Sequence, residues 1–204
     1  MKQMMCDYMR RLCDTGLTTS LSGNISCLDE KTGHILVTPS GVDKYSLTEA
    51  DIVTVDRNGV VVEGSRKPTM EYLMHVGVYR ARPETRAVFH AHPTFSTLYS
   101  ALDEPINLAM TLEVYKAIGE IRLVEVEIMG TPELAARVEE AAHTHWVLLL
   151  RNHGPVTCGT SLQHAFNLLE LTEMAAKLTW LAEGHSVRVL PEEKRAILRA
   201  MMKR

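Results

Sequence analysis

Apolar side chains recur along the chain in two rhythms, and the places where one rhythm gives way to the other mark the elements. Over residues 3–15 they fall at Met5, Met9, Leu12 and Cys13, a helical spacing that stops before Gly16. Residues 17–28 form a polar loop that turns at Gly23 and Asn24 into a short β-like run, and 35–38 reads as a second strand, closed by Pro39, Ser40 and Gly41. Ser46 and Glu49 have the spacing of a capping box, which predicts one helical turn before a strand at 52–55. Asp56-Arg-Asn-Gly59 folds that strand back onto 60–63 as a hairpin, because Asn-Gly accepts the positive φ of a tight turn.

After Lys67 and Pro68, Thr69 is the expected N-cap of a helix to residue 81, with Met70, Leu73, Met74 and Val78 on its apolar side. Residues 86–92 predict a strand ended by Pro93, 94–101 a short helix, and 122–129 an extended segment. Thr131 caps a helix that opens on Pro132 and runs to 144. Strands at 146–150 and 155–158 flank a turn at Asn152-His-Gly154, and a helix over 161–183 stops at Gly184. No segment repeats and none is of low complexity. This order of hairpins and helices predicts a layered α/β or α+β domain, not a strict βαβ series. With about 100–200 residues usual for a domain, 204 residues are expected to form one.

Composition narrows the partners. At 46% hydrophobic and 23% charged the chain is neither a disordered segment nor a coiled coil. A net charge of −3 lacks the electrostatic footprint of a nucleic-acid or membrane-surface binder, although a local cationic pocket can hide inside that average. The first residues scatter their charges and offer no signal h-region, and the apolar run 146–150 is bracketed by His145 and Arg151, far short of the roughly 20 residues of a membrane span. Cys6, Cys13, Cys27 and Cys158 are scattered without a Cys-x-x-Cys pair, so the expectation is a soluble cytoplasmic protein with reduced thiols.

The unusual component is nine histidines. In His90-Ala-His92, residues two apart on a strand face one side, so both imidazoles can reach one metal ion; the alternative is a solvated pair. His143 and His145 have the same spacing at a helix end, where it turns them about 200° apart, and are expected on the surface or at a C-cap. His153, at the exit of another buried strand, would complete a three-histidine site with one position open, the arrangement of catalytic zinc, though imidazole suits other divalent ions too. His75 follows Glu71 by four residues on one helical face, as a ligand or as a packing residue. Glu71, near a helix N-terminus, stays ionised there as ligand or base, or serves only the helix. His34, His164 and His185 carry no chemical signal.

Taken together and in order, Ser22-Gly-Asn-Ile-Ser26, Thr38-Pro-Ser-Gly41, Pro68-Thr-Met-Glu71, His75, His90-Ala-His92-Pro93 and Asn152-His-Gly154 resemble the class II aldolase/epimerase family over essentially the whole chain. The resemblance implies an α/β domain spanning residues 1–204, with a central, mainly antiparallel mixed sheet flanked by helices in layers. It implies one divalent metal per subunit, zinc with manganese or cobalt as alternatives, held by His90, His92 and His153. Glu71 would contact the metal at rest and serve as acid/base, while Gly23, Asn24, Ser40, Gly41 and Thr69 would hold a substrate phosphate. The implied reaction is reversible retro-aldol cleavage of a phosphorylated ketose of the fuculose 1-phosphate type to dihydroxyacetone phosphate and an aldehyde, in a homotetramer with sites between subunits. A sugar-phosphate decarboxylase, dehydratase or 4-epimerase would use the same site, and Glu71 in place of the aspartate usual in the epimerases argues against the last. A non-catalytic domain like the adducin head would be marked by loss of the histidines, and all three are present. The chain departs from the family at Met70 and Leu21, where hydroxyls are expected to face phosphate. It departs again at Thr111, where a tyrosine is expected, leaving nearby Tyr115 or a neighbouring subunit to supply the second acid; the tail 191–204 has no aromatic residue.

Overall fold

The computed structural model describes residues 1–202; Lys203 and Arg204, the end of that tail, lie outside the described residues. Eight strands form one sheet: β1 (Asn24–Leu28), β2 (Ile35–Val37), β3 (Val53–Val55), β4 (Val61–Glu63), β5 (Ala87–His90), β6 (Ile121–Val124), β7 (Val147–Leu150) and β8 (Gly154–Gly159). Their order across the sheet is β4-β3-β2-β1-β5-β8-β7-β6. Every neighbouring pair is antiparallel except β6 and β7, so the sheet is mixed and mainly antiparallel, as the resemblance implies.

Six of the eight strands, all but β4 and β6, are buried at every position because both faces of the sheet are covered. Ile35 and Val37 of β2, Val88 of β5 and Leu148 and Leu150 of β7 point into one core, roofed by α2 (Tyr72–Ala81) and α5 (Pro132–Ala142). Leu36, Ala87 and Phe89 alternate into the other, filled from α1 (Lys2–Asp14) and α6 (Leu162–Leu181). Helices α3 (Thr94–Ala101) and α4 (Leu112–Ile118) pack against α6, and α7 (Glu192–Met202) lies on α4. At Gly77 the backbone of α5 comes so close that a Cβ would stand 3.2 Å from the Ala135 carbonyl oxygen, which lets α2 settle onto α5. No helix among the described residues is long and apolar enough to cross a membrane.

Local differences from the sequence reading have identifiable causes. The capping box is closed by Thr48 and Asp51, not Ser46 and Glu49: Thr48 donates to Asp51 Oδ2 through both its backbone N–H (3.0 Å) and its hydroxyl (2.7 Å). Thr69 does not cap α2, because Pro68 pairs with Pro39 in an isolated bridge and Thr69 N–H donates to Thr38 O; the helix starts at Tyr72 and Met70 is exposed. Strand β5 stops at His90, so His92 reaches its place from the irregular stretch leading to α3 and not from the strand face. Beyond Val124 the extended segment has no partner, since β7 ends at Leu150 and turns. Helices α4 and α7 were not anticipated, although Thr111, whose hydroxyl accepts from Val114 N–H, and Gly119 at φ +69° punctuate α4 at both ends.

Phe89 is wholly buried between Tyr8 and Phe166, with ring centroids 5.7 Å from each. Phe89→Ala is expected to cost about 3–5 kcal/mol of unfolding free energy in urea titration.

Candidate active site

Two segments far apart in sequence meet at one end of the sheet. Asn24 opens β1 and stands directly across from His90, the last residue of β5. Above that pair the loop 38–41 is stitched to the segment before α2: Ser40 N–H donates to Lys67 O and Thr69 N–H to Thr38 O, both at 3.0 Å. Glu71, the N-cap of α2, is thereby lowered onto Asn24, whose Nδ2 donates to Glu71 Oε2 at 3.0 Å.

The orientation of that amide is fixed from behind. A carboxylate needs a donor, so Asn24 turns Nδ2 to Glu71 and its Oδ1 to His75 Nε2, 2.5 Å away, which must carry the hydrogen. His75 Nδ1 then has the lone pair and accepts from Ser26 Oγ at 2.7 Å, and Ser26 in turn accepts from the Tyr79 hydroxyl at 2.9 Å. Ser26, His75 and Tyr79 are essentially inaccessible. Burial, with a smaller contribution from His90, pulls the His75 pKa down to about 3, which suits a neutral ring bonded on both nitrogens. His75 is therefore a buried support of the site and not part of the imidazole cluster.

Three imidazoles converge beneath Glu71. The candidate ligand atoms of His90, His92 and His153 lie within 4.8 Å of one another. His90 Nδ1 donates to Pro155 O at 2.9 Å, so Nε2 turns inward, 3.2 Å from His153 Nε2. His153 is carried on the turn between β7 and β8, where Asn152 takes a left-handed φ of +56°. Ser100 of α3 anchors that turn: its carbonyl oxygen accepts from Asn152 N–H and its Oγ from His153 N–H at 3.1 Å. Gly154 follows because a Cβ there would lie 2.6 Å from Ala91 O and 3.2 Å from His92 Cδ2.

The donor set fits a divalent cation. Burial and the neighbouring His90 draw His92 down to about 3 and His153 to about 4, so both rings offer lone pairs, not charges. Burial pushes the Glu71 carboxyl up, but His90 and His153, 3.4 and 3.5 Å from its oxygens, and the Asn24 amide outweigh that and hold it below the ordinary range. Glu71 Oε1 and His92 Nδ1 are buried without a hydrogen-bond partner. Lone pairs turned towards one another around an unpartnered carboxylate oxygen are what a cation with nitrogen and oxygen ligands satisfies.

A cleft of about 380 Å³ opens above the histidines. Gly23, Asn24, Ser40, Gly41 and Thr69, the expected phosphate residues, all line it together with Glu71, His92 and His153. Leu21, Met70 and Met129 stand at its exposed rim. Lys44, which the sequence reading passed over, also lines it; only its place behind Ser40-Gly41 could have flagged it. Tyr115 is not among the lining residues: its hydroxyl accepts from Arg199 at 2.5 Å in the packing of α7 on α4. His143 caps α5, and His34, His145, His164 and His185 lie outside the cluster.

Comparison with known proteins shows the family of the chain. The profile of the family described as Class II Aldolase and Adducin N-terminal domain matches residues 3–180. The 5-deoxy-D-ribulose 1-phosphate aldolase of Bacillus thuringiensis serovar kurstaki is 29% identical over 92% of this chain and 88% of its own. The 3-oxo-tetronate 4-phosphate decarboxylase of Escherichia coli K12 is 33% identical over 98% of this chain and 97% of its own. A solved L-fuculose 1-phosphate aldolase superposes with a TM-score of 0.90 at 35% identity, covering 100% of this chain and 96% of that one.

Elemental analysis of protein equilibrated with zinc, cobalt or manganese and then desalted is expected to find one ion per chain, and none in His153→Ala. Ser100→Ala, which only frees the backbone behind His153, should keep the ion but bind it about 10–100-fold more weakly in chelator competition.

Proposed function

Because the chain belongs to the class II aldolase and adducin family, we propose that it is a metal-dependent lyase that cleaves a phosphorylated ketose, of the fuculose 1-phosphate type, to dihydroxyacetone phosphate and an aldehyde. The observation that carries this reading is the convergence of His90, His92, His153 and Glu71 at the floor of a cleft whose walls are the hydroxyls and amides of Gly23, Asn24, Ser40, Gly41 and Thr69. Retention of all three histidines speaks against a purely structural domain of the adducin kind.

A divalent cation bound there, zinc in the first instance, would polarise the substrate ketone and offset the charge that gathers on its oxygen as the neighbouring C–C bond breaks. Glu71 is placed to manage the proton. Its Oε2 is tied to Asn24, while Oε1 is free; as a carboxylate it must first take up a proton, from the substrate hydroxyl or from solvent, and can then pass it to the carbon left with the bonding electron pair. The phosphate would accept from the Ser40 and Thr69 hydroxyls and from backbone N–H groups at Gly23 and Gly41, with the second Asn24 amide hydrogen also available. Retro-aldol cleavage further requires a base for the hydroxyl proton on the carbon that becomes the aldehyde.

No tyrosine lines the cleft among the described residues, and that observation favours a second reading, decarboxylation of a 3-oxo sugar-acid phosphate. Loss of carbon dioxide leaves the same electron pair beside the ketone, takes up one proton that Glu71 relays from solvent, and needs no base for a hydroxyl. Both substrate classes present a phosphate-bearing carbon, a ketone and a hydroxyl-bearing carbon, so one cleft can serve either.

The reading also takes residues 1–204 as one catalytic domain of a cytoplasmic homotetramer with active sites between subunits. The exposed Leu21, Met70 and Met129 around the cleft mouth support a neighbour there, and light scattering of the purified protein should give four chains per particle.

The deciding experiment incubates zinc-loaded protein with a panel of ketose 1-phosphates and 3-oxo sugar-acid phosphates, measuring dihydroxyacetone phosphate, aldehyde and carbon dioxide. Dihydroxyacetone phosphate is expected, with the co-product naming the reaction; no turnover across the panel sinks the lyase reading. Glu71→Gln should lower kcat by about 10²–10⁴-fold, and unchanged turnover would remove Glu71 as the proton carrier.

A further inference from the structure

Two cations are buried among the described residues, and they differ in what meets their charge. Arg82 donates to the Glu84 carboxylate at 2.9 Å and to the carbonyl oxygens of Ala142 and His143, and its guanidinium lies over the Trp146 ring. Lys44, only 2% exposed, has a single side-chain hydrogen bond, from Nζ to Pro39 O at 2.5 Å, and no carboxylate partner among the described residues. The other two hydrogens on Nζ have no acceptor among the described residues. Burial accordingly pulls its ammonium below the ordinary lysine range.

A charge taken out of water without a counter-ion destabilises the fold, and a leucine or methionine would fill the same space without that cost. The loop does not need the charge to hold its shape, since backbone bonds from Lys44 N–H to Ser20 O and from Ser40 N–H to Lys67 O already pin it at both ends. Lys44 is one of the residues that line the cleft. Among the described residues it is the only lysine or arginine that lines it, and it stands with Ser40 and Gly41 on one loop. Met70, where the family resemblance places a hydroxyl, brings no donor from its side chain to that wall.

We propose that Lys44 is the cation that binds the substrate's phosphate, neutralising it from beneath the Ser40-Gly41 loop and replacing the donor that Met70 does not provide. This rests on the reading that the substrate is a phosphate ester. It explains how a chain of net charge −3 recognises a dianion: the compensating charge is held inside the cleft wall, where low dielectric strengthens it and salt screens it little.

The test titrates inorganic phosphate and dihydroxyacetone phosphate into zinc-loaded wild-type protein, Lys44→Met and Lys44→Gln by calorimetry, with neutral dihydroxyacetone as a competitive inhibitor in parallel. Lys44→Gln keeps a donor for Pro39 O and guards against a merely local collapse. Both variants are expected to melt within a few degrees of wild type, to bind the two phosphates about 10–100-fold more weakly, and to leave inhibition by dihydroxyacetone unchanged. In turnover KM should rise by the same factor while kcat moves little. Equal phosphate affinity in wild type and Lys44→Gln overturns the assignment, and so does a variant that loses dihydroxyacetone and phosphate alike. If wild type binds neither phosphate, the phosphate-ester reading itself fails and the assignment falls with it.

Discussion

The cross-strand pair of Asn24 and His90 is the point from which the rest of the cleft is built. It is the meeting of β1 and β5 at the centre of the sheet, and it puts an amide beside an imidazole with no freedom to move either. Behind Asn24 runs a one-directional chain of hydrogen bonds from Tyr79 through Ser26, with His75 bridging to the amide, and in front of it stands Glu71. Every donor in that chain has one acceptor, so reversing any member leaves a buried polar atom unsatisfied. Such networks are rigid when complete. The consequence is a carboxylate with one oxygen fixed and one free, beside three clustered imidazoles.

The other wall is held by different physics. His153 rides on a turn whose backbone is locally strained at Asn152, and the strain is held by two bonds from Ser100 and by close packing of Gly154 against Ala91. Helix α3 carries Ser100, and its own first turn is fixed by Glu173 of α6, whose carboxylate accepts from the backbone N–H groups of Phe95 and Ser96. Placement of the His153 imidazole is thus referred back to the long helix through a series of short polar contacts. Loops bear the chemistry while strands and helices set the distances.

The two ends of the cleft divide the work by charge. At the histidine end the compensating groups are lone pairs and one carboxylate, a set that selects a cation. At the loop 38–44 end they are hydroxyls, amide N–H groups and the Lys44 ammonium, a set that selects an anion. A substrate with a ketone at one end and a phosphate at the other is oriented by that polarity before any chemistry occurs.

Much of this was legible in the residues. Alternation and punctuation located all eight strands and five of the helices, the histidines stood out by their spacing at strand ends, and Glu71 by its place near a helix N-terminus and by the family resemblance. The chain order of the motifs carried the family. What the sequence could not determine was which surroundings each group would meet. Thr69 and Pro68 read as a helix start until a bridge to Pro39 claimed them, and Tyr115 read as a neighbour of the site until α7 drew its hydroxyl to Arg199. The role of His75 and the meaning of Lys44 depend on contacts across 51 residues in the one case and on the lack of any buried carboxylate partner in the other. Local spacing determines which side chains share an element, but protonation, tautomer and charge compensation depend on neighbours that only the folded sheet brings within a few ångströms.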